Sequence, residues 1–134
     1  MSAAADLQKA IFDCMETDEA LIAALGGSRI FDHVPVNAQF PYISFGRTSM
    51  YDWSTSTEHG SEQFFTLHIW SKDKGKRQAL DILELAKSRL ETAALEPAAH
   101  HLVNLIFDFA EVRQNEDLSL YHGLLRYRAV LEPR

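Results

Sequence analysis

Residues 76–94 constrain the fold most, because their pattern admits only one amphipathic helix. Ala79, Leu83, Ala86, Leu90 and Ala93 recur at helical spacing with Ile82 beside them, and Pro97 blocks continuation. Just before it, after a turn over residues 71–75, the period changes to two. There Phe65, Leu67 and Ile69 face one way, while Phe64, Thr66, His68 and Trp70 face the other. A helix with one apolar stripe beside a strand buries that stripe on the sheet. Both faces of the strand carry bulk, so the second face is expected to meet a neighbour.

The remaining segments extend this plan. Leu7, Ile11 and Cys14, then Leu21, Ile22 and Leu25, form a helical stripe interrupted by Glu16, Thr17, Asp18 and Glu19. Thr17 or Asp18 can cap a second segment, so the stripe reads as one bent helix or two short ones, ended by Gly26 and Gly27. A short extended piece, residues 29–35, leads into an irregular stretch between Pro35 and Pro41. Residues 42–49 alternate as a strand, with Ile43 and Phe45 opposed to Tyr42 and Ser44. A further strand is expected over residues 102–112, with Val103, Leu105, Phe107 and Phe109 on one face. After a turn at residues 114–117 comes a last strand, residues 118–131, with Leu125, Tyr127, Ala129 and Leu131 opposed to Arg126 and Arg128. The order is helix, short strand, strand, strand, helix, strand, strand. This is an α+β domain, an antiparallel sheet of about four strands with helices packed on one face, and residues 1–134 form a single domain.

Composition closes several routes. The longest apolar runs are broken by charge within a few residues, so no membrane span is expected, and MSAAADLQKA has no secretory pattern. One cysteine, Cys14, precludes an internal disulfide, suits a reducing cytoplasm, and reads as packing on the helical stripe. A formal net charge of −6 leaves no electrostatic footprint for phosphate, and Lys72, Lys74, Lys76 and Arg77 read as a solvated turn.

Motifs for chemistry are missing as well. His100 and His101 are neighbours and would point to opposite faces, while His33, His59, His68 and His122 lie in separate elements, so no metal site is expected. There is no G-x-S-x-G elbow, and the Gly26–Gly27 pair follows a helix where a phosphate loop would precede one. Glu16, Asp18 and Glu19 read as a solvated helix start, and Asp108 and Glu111 as strand edges. No catalytic residue, metal or cofactor is indicated, and the chain reads as a non-enzyme.

Residues 50–61 (MYDWSTSTEHGS) are polar and aperiodic, and read as a long loop. They carry two aromatics that no core requires. Met50, Tyr51, Asp52, Trp53, Glu58 and His59 are therefore the candidate protein-interface residues.

Arg29-Ile-Phe-Asp-His-Val-Pro35 followed by Pro41-Tyr-Ile-Ser-Phe-Gly46 resembles the siphophage-type tail terminator, or tail-completion, family of phages, prophages and gene transfer agents. Trp53, Ile69-Trp70-Ser71 before the long helix, and His122-Gly123 before the last strand are similar too, so the resemblance covers nearly the whole chain. It implies a virion structural protein of the tail neck, assembled in the bacterial cytoplasm, with a fold similar to tail terminators and tail-tube proteins. The implied action is a ring of identical subunits, usually a hexamer, at the head-proximal end of the tail tube. Its implied partners are copies of itself, the major tail tube protein and the head-closure (stopper) protein. DNA would pass through the lumen without specific binding, past acidic groups, and no catalytic residues are implied. Alternatives are another head-tail connector or tube-like component, or a small α+β enzyme or ligand-binding domain with a deep polar pocket.

Overall fold

A computed structural model describes residues 1–52, 54 and 59–134. The elements are α1 (Ala3–Glu16), α2 (Glu19–Leu25), β1 (Ile30–Phe31), β2 (Tyr42–Asp52), β3 (Ser61–Ser71), α3 (Arg77–Thr92), β4 (His100–Asn115) and β5 (Leu120–Pro133). The strands form one five-stranded sheet in the order β1-β2-β3-β5-β4. Neighbours are antiparallel except β1 and β2, which run parallel. The α+β expectation holds, with a mixed sheet of five strands where about four antiparallel ones were expected. The difference is the short extended piece, which pairs Ile30 and Phe31 with Ile43 and Ser44.

The interrupted stripe becomes two helices. Ser2 caps α1, its hydroxyl accepting from the Ala5 N–H at 3.1 Å. Thr17 turns its hydroxyl back onto the Asp13 and Cys14 carbonyls, at 2.9 and 3.1 Å, and so serves the end of α1. From the last turn of α3, Arg89 donates to the Cys14 carbonyl (2.9 Å) and to the Thr17 hydroxyl (3.2 Å), adding a charged donor to the end of α1. Gly26, at φ 81°, ends α2 in the left-handed region.

The core lies between the helices and one face of the sheet. Leu7, Ile11 and Met15 of α1, Leu21 and Leu25 of α2, and Ile82, Ala86 and Leu90 of α3 meet Ile43, Leu67, Ile69, Leu125, Tyr127 and Leu131. Cys14 stands beside the α1 stripe, half-buried, and burial pushes its thiol up despite the nearby Arg89. Asp6 is buried inside the first turn of α1 and accepts from the Ala98 and Ala99 N–H groups at 3.0 and 2.8 Å. This pins α1 to the start of β4.

Three strand expectations are corrected. First, β2 continues to Asp52 and β3 begins at Ser61, so Met50, Tyr51 and Asp52 belong to a strand and only residues 53–60 connect the pair. Second, β4 has irregularities between Leu102 and Asn104 and between Phe107 and Phe109. An extra residue reverses the side on which the next side chains fall. Leu105 and Phe107 therefore pair with the core-facing Ala129 and Tyr127, but Phe109 pairs with Arg126 on the opposite face. Third, Leu118 and Ser119 belong to the turn, Ser119 having φ 52°, and β5 starts at Leu120.

Candidate assembly surfaces

The side of the sheet away from the helices carries Ser49, Tyr51, Glu62, Phe64, Thr66, His68, Trp70, His122, Leu124, Arg126 and Arg128, which the register places side by side. This is the second bulky face of β3 anticipated from the sequence. Two ion pairs cross it: Arg126 to Asp108 at 2.5 Å and Arg128 to Glu62 at 2.5 Å. Arg126 also lies over the Phe109 ring, 5.2 Å from its centre.

At one end of this face, imidazoles and indole stack. Trp70 and His122 are direct cross-strand partners, with ring centres 4.1 Å apart and planes within 7°. His68 stacks on His122 at 4.8 Å, and its Nδ1 lies 2.6 Å from His122 Nε2, a hydrogen bond that needs one ring to donate and the other to accept. The Trp70 indole N–H donates to the Ser44 hydroxyl at 3.2 Å. Burial lowers the His68 pKa. Burial also lowers that of His122, aided by His68 and Arg113 and opposed by Glu111. The sequence placed His68 and His122 in separate elements; only the β3–β5 register joins them. Gly46 makes room for the cluster, since a Cβ there would lie 2.2 Å from His68 Nε2.

The expected interface residues do not form one loop cluster. Tyr51 is 57% exposed on the open face and meets Phe64 edge-on at 6.2 Å. Met50, 60% exposed, points to the helix side. There it joins Ala4, Ala5, Phe12, Phe45 and Thr48 around a groove of about 560 Å³ between α1 and β2. Asp52 accepts from the Ser54 N–H at 3.0 Å. His59 is exposed in the connection, and Trp53 and Glu58 lie outside the described residues. Strand alternation divides Met50 from Tyr51, so these neighbours serve opposite sides of the sheet.

The other exposed apolar group lies on the edge strand β4: Val103, Ile106, Phe107 and Phe109 are 47%, 45%, 39% and 38% exposed. The sequence pattern places Val103, Phe107 and Phe109 on one face of a strand and Ile106 on the other, and local alternation does not distinguish an edge strand from a central one. Among the described residues, no three or more His, Cys, Asp or Glu side chains gather as metal ligands. Among the described residues, no helix is long and apolar enough to cross a membrane.

The fold is that of phage-type tail structural proteins. A chain from the structure titled "Virion of native gene transfer agent (GTA) particle" matches with a TM-score of 0.88 and 28% identity, over 98% of each chain. The bacteriophage SPP1 gp17 protein matches in fold at a TM-score of 0.61 and 20% identity, over 95% of this chain and 89% of that one. Residues 9–132 match the family described as tail completion protein gp17, and the chain belongs to that family. It is a structural family and not an enzyme family. No curated protein sequence matches.

Proposed function

We infer that this tail-completion protein is a tail terminator. Copies close into a ring, of six subunits as the sequence resemblance implies, on the head-proximal end of the tail tube. The ring ends tube polymerisation and offers its other side to the head-closure protein. The observation that supports this reading most is the family match across residues 9–132, which spans every strand that bears the exposed side chains.

The surfaces suit such a role. A ring component must contact copies of itself sideways and different proteins above and below, so it needs several separate contact faces. The open face, the β4 edge and the α1–β2 groove are three such faces. DNA would traverse the lumen without being held, in keeping with the net charge of −6 and with arginines already paired to Glu62 and Asp108.

The test is removal of the gene from a particle-producing strain. Tubes of irregular length that fail to join heads are expected. Normal tails joined to heads would overturn the reading. Localisation of the chain along the tube, and not at its end, would favour a tube-like component.

A further inference from the structure

Among the described residues, both long edges of the sheet are left wholly or largely unpaired. β4 forms one edge along its whole length. At the other edge β1 covers only Ile43 and Ser44 of β2. Beyond Ser44, no strand among the described residues pairs with the outer side of β2, which continues to Asp52. Free edges of this kind recruit another strand.

Strand directions make the two edges compatible. β2, β3, β5 and β4 alternate in direction. A rotation about an axis along the strands preserves direction, so β4 of one copy lies antiparallel to β2 of the next. That contact is heterologous and repeats at each subunit, so it builds a ring when the rotation per subunit divides a full turn.

Side chains match at the same level. The ladder aligns Thr48, Phe65, Tyr127 and Phe107 in one row, and Ser49, Phe64, Arg128 and Ile106 in the adjacent row. Thr48 lines the α1–β2 groove at one edge. At the other edge and the same level stands Phe107, packed edge-on against Tyr127 on one side and still 39% exposed. A groove with an apolar part (Ala4, Phe12, Phe45 and Met50) beside Lys9, Asp13 and Asp32, and an apolar knob, thus stand at opposite ends of one row, on the same side of the sheet.

We propose that β4 of one copy adds to the free edge of β2 in the next copy, with Phe107 entering the groove between α1 and β2. A second copy is the occupant because one chain carries both edges in complementary direction, and both knob and groove at one level. A β4-to-β4 contact would oppose two Phe107 side chains and leave the groove empty. The proposal rests on the ring reading and names the surfaces that close the ring.

The experiment uses assembled particles carrying Ser49→Cys and Ile106→Cys in a Cys14→Ser background, treated with a short bis-maleimide. The double variant is expected to give a ladder of multimers, and each single variant none. Dimers from a single variant would overturn the proposal. So would an uncross-linked double variant in particles shown by quantitative mass spectrometry to hold several copies, while leaving the terminator reading intact. One copy per particle would remove the ring reading and this proposal with it. A second variant, Phe107→Glu, should fold by circular dichroism yet fall at least tenfold in incorporation; normal incorporation would also overturn the proposal.

Discussion

The carboxylate of Asp6 and the imidazole of His100, 94 residues apart in the chain, meet at 2.8 Å in the interior. Together with the Ala98 and Ala99 N–H groups, this contact ties the first helix to the start of the edge strand. Burial raises the Asp6 pKa, but the His100 hydrogen bond and then the two N–H donors outweigh it, and the net shift is downward.

Asp6→Ala is expected to destabilise the protein by about 3 kcal/mol, because buried donors lose their acceptor. Stability from a lowered carboxyl pKa is fully present above the ordinary value of about 4, and is lost as pH falls through the folded value. Asp6→Asn should therefore weaken the protein at pH 7 and lessen its acid sensitivity. Urea denaturation at neutral and acidic pH would check both. An unchanged midpoint for Asp6→Ala would contradict the role given to this contact.

His68 and His122 have lowered pKa values, so the unfolded chain takes up protons before the folded one. Their contribution is fully present above about pH 6.5 and declines as pH falls toward the folded values. His122→Gln should flatten the decline in melting temperature on acidification. A parallel pH profile in the variant would show that the pair does not couple to folding.

Gly46→Ala should cost about 1–3 kcal/mol, since the new methyl displaces a His68 ring held by His122. In Gly46→Ala/His68→Ala the obstruction is gone, and most of that loss should be recovered. Equal losses with and without His68 would place the strain elsewhere, and thermal unfolding of the four-member cycle reads the difference.

Replacing both Tyr51 and Trp53 with Ala should leave the melting temperature within a few degrees of the parent, because Tyr51 is largely exposed. Joining of tails to heads should fall markedly. Electron-microscope counts of joined particles would measure it, and unaltered joining would remove Tyr51 and Trp53 from the interface.

The helix and strand periods were legible because they are local. The stripe of α3, the two bulky faces of β3 and the break between α1 and α2 each follow from residues a few positions apart. The pattern from Arg29 to Gly46 points, from short motifs alone, to the tail-completion family to which the chain belongs. The side on which Phe109 falls was not legible, because irregularities in β4 reverse its alternation without a local marker. Nor was the end of β2, where Met50, Tyr51 and Asp52 remain in the ladder through pairing with Gln63, Glu62 and Ser61 of β3.

The sequence by itself determined the α+β class, the segments that are helix or strand, and the family. Short-range periodicity and an ordered set of motifs carry that information. Only the tertiary structure decided that His68 meets His122, that Asp6 reaches His100, and that Met50 and Tyr51 serve opposite faces. It also left β4 and the far part of β2 as the two free edges. Those outcomes depend on strand order and register, which arise from contacts between distant residues and are settled when the whole core packs at once.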